Sequence, residues 1–420
     1  MKRLFNNSKV LNFSWWFAKK IGFGKTNKNN LSTTIIRIGQ IAVAIGILVA
    51  LITVSTGIGA RKGIKQKLAD FNGHITIRPY NSNQSFNSDS LSIHQDFYPE
   101  FKEVPEITHV QAIATKSGII RTADNFSGIV LKGVGTDFDT LRFKPYMLKG
   151  NFPKISKDSL STEVAVPQKI ANEMHFDLDS SFVVYFIGDS GKPVYRRFQI
   201  SGIFRTDIKD FDDIYILGDI KQVQRLNHWD QNTVGGFELF AKDIEKLDQV
   251  TQKVNDNIDF SLYAQSATST FSQINDWIEV FDTNIFVVLF IMMVVVAINM
   301  IMVLLILILE RTHSIGLLKT MGATNWRIRK IFIYYALFIM VPGLVIGNLV
   351  GISLLLIQKF FKLIKLPADN YYLSYAPVHL DLFQILMLNL AAILISAVVL
   401  TVPSWLISRI TPNQAMKIKE

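Results

Sequence analysis

The chain has 420 residues, no cysteine and a formal net charge of +10, and 49% of its residues are hydrophobic. The absence of cysteine excludes a disulfide framework, a thiolate nucleophile and a cysteine-based zinc site. The excess positive charge lies in short segments that flank long apolar stretches, where lipid headgroups are the expected partner. We therefore expect contact with membrane lipids and no contact with nucleic acid.

The first 34 residues are predicted to be a cytoplasmic leader. Residues 1–37 contain eight basic groups and no carboxylate, which the positive-inside rule assigns to the cytoplasm. Trp15 and Trp16 lie close to Lys19 and Lys20. Because aromatic rings beside lysines favour the headgroup region, residues 13–23 are predicted to form an interfacial helix.

Apolar stretches follow in a one-plus-three arrangement. A bilayer core is about 30 Å thick and is crossed by about 20 residues of helix. Uncharged apolar stretches at 41–58, 285–309, 331–358 and 382–408 predict transmembrane helices at residues 35–59, 282–309, 331–358 and 382–408. The remaining segments are predicted as a large outside domain with its stalk at 60–281, a cytoplasmic coupling loop at 310–330, a short outside loop at 359–381 and a cytoplasmic tail at 409–420.

The segment 60–281 has more carboxylates than basic groups, which places it outside the cytoplasm. Its basic start is predicted to continue the first span as a helical stalk. Alternating apolar residues predict strands, and two stretches predict helices, so the domain is α+β. The predicted strands are His74–Tyr80, Ile107–Ile120, Gly128–Val134, Phe182–Phe186, Tyr195–Phe204 and Gly236–Phe240, and the predicted helices are Val166–Met174 and Asp243–Asn257.

No catalytic or metal-binding motif is recognisable in the outside domain. Its histidines are scattered and its carboxylates form no motif, so we expect both to be solvated surface groups and the chain not to be an enzyme. A catalytic pair distant in sequence remains an alternative. The histidines are His74, His94, His109, His175 and His228.

The spans carry two notable patterns. Gly343, Gly347 and Gly351 recur at four-residue spacing, which predicts a face against which another helix packs closely. The second span is rich in methionine, which predicts either an adaptable surface for lipid chains or ordinary interhelical packing. The stretches 41–58, 285–309, 331–358 and 382–408 contain no charged residue that would mark a proton pathway in the membrane, and this argues against a proton-coupled transporter.

The loop at 310–330 predicts a short amphipathic helix that ends at Gly322 and is followed by a second basic amphipathic turn. It exposes several apolar groups, and such groups indicate a protein partner that covers them.

The segment SIGLLKTMGATNWRI at 314–328 and the C-terminal segment TVPSWLISRITPNQAMKIKE resemble the FtsX-like, MacB-type family of ABC transporter permeases. The resemblance covers nearly the whole chain. NGHITI at 72–77 and ISGIF at 200–204 make it strongest to the lipoprotein-releasing subgroup, LolC and LolE. The resemblance implies an α-helical membrane protein with four transmembrane helices and a large α+β extracytoplasmic domain of the MacB periplasmic-domain type.

The resemblance also implies that energy enters from a separate, LolD-like ATPase, which holds the ATP-Mg; no cofactor is expected in this chain. A groove of that ATPase would contact the helix in the coupling loop. Ser314 stands where the family usually has an acidic residue, and the hairpin at 182–204 has a shorter turn than the hook of LolC. The implied coupling residues are Ser314, Ile315, Gly316, Leu317, Leu318, Met321 and Gly322.

The implied function is extraction of lipoproteins from the outer leaflet of the bacterial inner membrane. Both termini would be cytoplasmic and the large domain periplasmic. Partners would be a second permease subunit, in a homodimer or heterodimer, the lipoprotein substrate and a LolA-like chaperone. The predicted lipid cavity is lined by Ile47, Leu48, Leu51, Val288, Met292 and Val295.

Other classes of function remain open. A MacB-like exporter of small molecules or peptides and an FtsX-like regulator of cell-wall hydrolases share this architecture. A receptor or anchor without transport would leave the apolar coupling loop unexplained.

Overall fold

The computed structural model describes residues 31–82, 85–122, 125–188 and 191–404. The predicted interfacial helix and the predicted cytoplasmic tail lie outside these ranges. The chain divides into two compact units. The membrane unit comprises Met1–Gly59, Val280–Ile364 and Pro377–Glu420, and the domain unit comprises Ala60–Glu279 and Lys365–Ala376.

Four helices in the described ranges are long and apolar enough to cross a bilayer, one near the N-terminus and three towards the C-terminus. This confirms the predicted one-plus-three arrangement. The helices are α1 (Leu31–Asn72), α8 (Ser272–Glu310), α10 (Asn325–Phe361) and α12 (Leu382–Val399).

Helices α1 and α8 are longer than a bilayer requires. They contain 42 and 39 residues, so each is about 60 Å long at 1.5 Å per residue, twice the thickness of a bilayer core. Residues 60–72 continue α1 without a break, which agrees with the predicted helical stalk. In contrast, α12 ends at Val399, earlier than predicted, and the short helix α13 (Thr401–Ser404) follows it.

The core of the membrane unit consists of aliphatic side chains from all four long helices. Val43 and Ile47 of α1 and Val296 and Met300 of α8 belong to one buried hydrophobic cluster. The other buried members are Leu304, Ile308, Ile315, Ile328, Phe332, Ala336, Met340, Leu344, Ala392 and Leu400.

The domain unit contains a ten-stranded mixed sheet in its described part, with the strand order β12-β1-β11-β3-β4-β9-β6-β8-β5, while β7 pairs with β3 and β8. The β4–β9 and β6–β8 pairs are parallel. A separate pair joins β2 to β10. The strands are β1 (Ile75–Pro79), β2 (Leu91–Ser92), β3 (Ile107–Arg121), β4 (Phe126–Val134), β5 (Met147–Gly150), β6 (Glu163–Pro167), β7 (Ser181–Ile187), β8 (Pro193–Phe204), β9 (Tyr215–Asp219), β10 (Thr233–Val234), β11 (Gly236–Ala241) and β12 (Leu262–Ser266).

Short helices connect these strands. The predicted helix Val166–Met174 is wrong at its start, because Val166 and Pro167 extend a buried strand that pairs with Ile203 and Phe204. The predicted helix Asp243–Asn257 is present as a 3₁₀ turn (Ile244–Lys246) followed by α6. The helices are α2 (Thr140–Phe143), α3 (Gln168–Glu173), α4 (Lys209–Asp212), α5 (Ile220–Leu226), α6 (Leu247–Asp256), α7 (Ala267–Thr270), α9 (Thr312–Thr320, in the membrane unit) and α11 (Ala368–Tyr371), and a second 3₁₀ turn spans Lys144–Tyr146.

Candidate functional site

The predicted coupling loop folds as a helix on the surface of the membrane unit. In α9, Ile315 and Gly316 are buried and Leu318 packs against two clusters of the bundle core. Leu317 and Met321 point away from the bundle, with 58% and 75% of their surface exposed. The inner face of α9 therefore attaches it to the bundle. Its outer face is apolar and is not covered by any part of the chain that the structure describes.

A glycine turn fixes the direction in which the chain leaves α9. Gly322 has a φ of +86°, which favours glycine. Its N–H donates to the Lys319 carbonyl at 3.0 Å and the Ala323 N–H donates to the Leu318 carbonyl at 2.9 Å, as in a Schellman motif. Thr324 then caps α10 by accepting a hydrogen bond from the Arg327 N–H at 3.4 Å. This turn fixes α9 at the N-terminus of α10.

The structure separates the predicted coupling residues into three groups by their exposure. Leu317, Met321 and Gly322 are exposed, while Ser314 and Leu318 are half-buried and the other two are inside. Trp326 joins the exposed group, with 60% of its surface exposed and the Lys330 ammonium 5.5 Å from its ring centroid. Sequence reasoning noted the amphipathic turn around Trp326 but did not select the residue.

The glycine face of α10 lies against α1. A Cβ at Gly343 would be 2.7 Å from the Gln40 carbonyl oxygen, and one at Gly347 would be 2.6 Å from the Ala44 carbonyl oxygen. At Gly351 the nearest atom would be Leu51 Cδ2, at 2.9 Å. At the first two positions the obstacle is backbone, which cannot move aside, so only glycine permits this approach of the two helices.

An amide pair between α10 and α12 was not expected. Asn348 Nδ2 donates to Asn389 Oδ1 at 2.7 Å, and Asn389 Nδ2 donates to Asn348 Oδ1 at 3.0 Å. Each amide also donates to the carbonyl one turn earlier in its own helix. In an apolar bundle such satisfied polar pairs fix the axial register of two helices. The sequence signal was a pair of polar residues inside apolar spans.

The predicted lipid-cavity residues do not share one surface. Ile47 and Leu51 are almost fully buried in two core clusters of the bundle. They cannot line an open cavity in this conformation, because their side chains hold α1 against its neighbours. Val295 is exposed, and Leu48, Val288 and Met292 are half-buried. Only these last four are accessible from outside the bundle.

A buried charge pair connects the stalk end of α1 to the sheet. Lys132 on β4 and Glu238 on β11 form an ion pair of 2.6 Å, with side chains 1% and 0% exposed. Lys132 Nζ also donates to the carbonyl of Phe71, in the last turn of α1, and Gln111 Nε2 donates to the second Glu238 oxygen at 2.8 Å. Burial lowers the pKa of Lys132, while the Glu238 charge opposes this shift. The prediction of a solvated surface is wrong for Glu238.

The residue after the stalk turn is also buried. His74 is 2% exposed, so the prediction that the histidines are surface groups is wrong for this one. Its Nδ1 accepts a hydrogen bond from the Ala241 N–H at 3.0 Å, and its Nε2 has no hydrogen-bond partner. Burial, with a smaller contribution from the Arg142 charge, lowers the pKa of His74 to about 4. The imidazole is therefore neutral in the folded protein at neutral pH.

This burial predicts a loss of stability in acid. The unfolded chain has a histidine pKa near 6.5, so it binds a proton below that pH while folded His74 does not until about pH 4. His74 should therefore remove about 2 kcal/mol of folding free energy between pH 7 and pH 5. Denaturant unfolding of the full chain in detergent, compared with His74→Asn, which keeps an acceptor for the Ala241 N–H, measures this difference. An equal pH dependence of both proteins, or the same change in the exposed control His94→Asn, would contradict it.

No group of three or more His, Cys, Asp or Glu side chains able to hold a metal ion occurs among the residues that the structure describes.

Comparison with known proteins gives two family matches. The FtsX-like permease C-terminal family matches residues 286–412, and the MacB-like periplasmic core domain family matches residues 41–257. The first segment contains most of the last three spans, and the second contains most of the first span, the stalk and most of the domain.

Relatives extend over the whole chain. The lipoprotein-releasing system transmembrane protein LolE of Haemophilus influenzae is 21% identical over 420 residues, covering 96% of this chain and 98% of its own. LolC of Buchnera aphidicola is 22% identical, covering 92% of this chain and 94% of its own. The ABC transporter permease YtrF of Bacillus subtilis is 26% identical over about half of each chain.

The MacB-like match alone spans more than half of the sequence. The FtsX-like match adds residues 286–412, so the two matches together reach from the first span to the last. The chain is thus a non-catalytic, multi-pass membrane subunit with a large extracytoplasmic domain, and it belongs to the FtsX-like ABC transporter permeases that carry a MacB-like periplasmic core domain.

Proposed function

We propose that this permease extracts lipoproteins from the outer leaflet of the bacterial inner membrane, with energy from ATP-Mg hydrolysed in a separate LolD-like subunit. The observation that carries the proposal is the similarity to proteins named as lipoprotein-releasing, which covers both the spans and the outside domain. Extraction needs a motor, because each acyl CH₂ that leaves lipid costs about 0.8 kcal/mol.

The outer face of α9 is the proposed entry point for mechanical work. Leu317, Met321 and Trp326 form an exposed apolar surface on the N-terminal side of α10. The opposite face of α9 is anchored by Ile315 in the bundle core. A displacement of α9 would therefore be passed to α8 and α10, rather than absorbed by a loose loop.

Fewer residues remain as candidates for the proposed lipid path than the sequence predicted. Leu48 on α1 and Val288, Met292 and Val295 on α8 remain as accessible apolar candidates. In a pair of permease subunits, these surfaces of α1 and α8 would enclose the acyl chains. Apolar area that is exposed on a single subunit would then be covered.

The hairpin of β7 and β8 is the proposed docking surface for a LolA-like chaperone. Tyr185 and Tyr195 are cross-strand partners, and Tyr185 also pairs with Ile119 of β3. All three are exposed, as is Ile187 at the end of β7. An open sheet face with adjacent aromatic and aliphatic groups is typical of a protein interaction surface. Tyr195→Asp should impair transfer to the chaperone, and normal transfer by this variant would contradict the assignment.

We propose that both termini are cytoplasmic and that the domain unit is periplasmic. The support is the basic, carboxylate-free segment 1–37 and the four spanning helices, which return the chain to its starting side. A cysteine introduced into the domain unit should react with impermeant thiol reagents in intact spheroplasts. Labelling only after lysis would contradict this orientation.

Release of a lipoprotein from proteoliposomes tests the function. The full chain with its copurified partners is reconstituted with a fluorescent acylated lipoprotein and a soluble acceptor chaperone. ATP should transfer the lipoprotein to the soluble fraction. Met292→Glu should abolish this transfer. The matched control Met302→Glu changes an exposed methionine further along α8, away from the proposed lipid path, and should retain the transfer.

Other results would contradict the proposal. ATP-dependent efflux of a small molecule without lipoprotein release would support a MacB-like exporter. Activation of a cell-wall hydrolase without either transport activity would support an FtsX-like regulator.

A further inference from the structure

The loop that connects α10 to α12 belongs to the domain unit, although its neighbours in sequence belong to the membrane unit. Residues 365–376 cluster with the outside domain. A β-bridge pairs Lys365 with Tyr375, and the Leu366 N–H donates to the Ser374 carbonyl at 3.0 Å. These bonds close the segment into a compact unit, which we call the shoulder loop (residues 365–376).

A cluster of polar groups fastens the shoulder loop to the stalk. Lys67 Nζ, on the stalk part of α1, lies 2.6 Å from Asp207 Oδ2 and 3.3 Å from the Tyr372 carbonyl oxygen. Ser374 Oγ donates to the same Asp207 oxygen at 2.5 Å. We call Lys67, Asp207, Tyr372 and Ser374 the Asp207 cluster. It joins three segments that are distant in sequence: the stalk, the turn after β8 and the shoulder loop.

Apolar contacts of the shoulder loop with α1 and α8 accompany the cluster. Leu373 packs on α1, where a Cβ at Gly63 would lie 3.4 Å from its Cδ2. The rings of Tyr371 and Tyr372 pack on Trp277 of α8, with centroid distances of 6.2 and 5.4 Å. The shoulder loop therefore contacts the outer parts of α1 and α8 together.

The backbone at the cluster adopts an uncommon conformation. Asp207 and Tyr372 have φ values of 65° and 55°, in the left-handed region that costs free energy for residues other than glycine. The Asp207 N–H donates to Asp212 Oδ2 at 3.0 Å, and the Thr206 N–H donates to the same carboxylate. Asp212 thus holds the turn so that the Asp207 carboxylate meets Lys67. Such strain persists only where surrounding contacts impose it.

The contacts within the Asp207 cluster favour the ionised form of the Asp207 carboxyl group. Its side chain is 11% exposed, and burial by itself would raise the pKa of the carboxyl group. The hydrogen bonds from Lys67 and Ser374, together with the Lys67 and Arg205 charges, outweigh burial and hold the pKa below its usual value. The carboxylate is therefore charged when it meets Lys67.

We propose that Asp207 is a positioning residue that latches the shoulder loop onto the stalk, so that movement of α10 and α12 is delivered to the domain unit. The inference rests on the proposed function, because it assumes that nucleotide turnover moves these helices. A cavity of about 490 Å³ adjoins the latch and is lined by Arg205, Asp207 and Asn370, among others.

A charge-removing variant tests the latch. Asp207→Asn keeps a residue that tolerates the left-handed conformation. It removes the charge and replaces one acceptor oxygen of the carboxylate with an amide NH₂ group. Ser374→Ala is a second variant, which removes one hydrogen bond and leaves the turn untouched. The matched control is Asp213→Asn, because Asp213 lines the same cavity and pairs with Lys169 at 2.7 Å but lies outside the cluster.

The first readout is substrate release per ATP hydrolysed by the reconstituted full assembly. Coupling between distant sites changes equilibria by about 5- to 150-fold, so we expect about a tenfold loss in both latch variants, with ATP turnover retained and the control unchanged. Release per ATP in both variants equal to that of the control would overturn the latch.

The second readout does not depend on transport. Hydrogen exchange of the shoulder loop in the detergent-solubilised full chain should be about tenfold faster in Asp207→Asn and Ser374→Ala than in the control. Unchanged exchange in both variants would overturn the latch even if the permease proved to have another substrate. Faster exchange in both variants would support the latch independently of the proposed function. If no ATPase or lipoprotein accompanied the protein, the latch would stand and the proposed function would be contradicted.

Discussion

Replacing Lys132 with methionine should destabilise the protein by about 3–5 kcal/mol, because the variant leaves the Glu238 carboxylate buried without its counter-charge. The Phe71 carbonyl at the end of the stalk also loses its donor. We expect a large fall in the unfolding midpoint of the full chain in detergent, measured by intrinsic fluorescence.

A double variant separates the ion pair from simple packing. Lys132→Met with Glu238→Leu removes both charges, and replacing both members of a buried pair with apolar groups is often close to neutral. The double variant should therefore recover much of the lost stability. Lys169→Met, which breaks an exposed pair with Asp213, should cost about 0–1 kcal/mol. A Lys132→Met variant as stable as Lys169→Met would show that the buried pair does not anchor the stalk.

Replacing Gly347 with leucine should prevent normal packing of α1 on α10. The new Cβ would lie 2.6 Å from the Ala44 carbonyl oxygen and 3.1 Å from the Ala44 Cα, and both are backbone atoms. The helices must separate, so we expect a loss of about 1–3 kcal/mol or more and a low yield of folded protein. Thermal unfolding and size-exclusion chromatography of the detergent-solubilised chain measure these effects.

The control for this change is Val345→Phe, which adds bulk to an exposed position of the same helix. It should unfold like the wild type. Gly347→Ala should already lower the unfolding midpoint, because the obstruction begins at Cβ. Normal packing of Gly347→Leu would mean that α1 and α10 do not approach each other in the membrane as described.

The membrane helices were predictable because apolar length is a local property of the sequence. The four spans need only long apolar runs, and four helices of that kind are present in the described ranges in the one-plus-three order. Long alternating strands such as β3 and β8 were found for the same reason. The fold class follows from these elements alone.

Several strands escaped prediction for physical reasons. Strand β5 lies at the edge of the sheet and is mostly exposed, so it shows no apolar alternation. Strand β9 is a short run buried on both faces, which looks the same as a buried helix segment. Strand β6 continues directly into α3, and the two apolar runs merged into one predicted helix.

The polar clusters were not predictable because their members are far apart in the chain. Lys132 and Glu238 are separated by 106 residues, and Lys67 and Asp207 by 140. Each residue considered alone is an ordinary surface charge. Only the sheet order, which brings β11 and β4 to either side of β3, places Lys132 near Glu238. The exposed apolar side chains of α9, in contrast, lie within one short segment, so the sequence alone indicates an amphipathic helix there.

Copurification of a nucleotide-hydrolysing subunit tests the central claim that this permease is driven by a partner. The tagged wild-type chain, solubilised in mild detergent from its native membrane, should bring down a separate ATPase subunit and measurable ATP hydrolysis. Leu317→Asp combined with Met321→Asp should remove the ATPase while the permease remains folded, because both side chains are exposed. ATP hydrolysis by the isolated chain, or full retention of the ATPase by the double variant, would contradict the account.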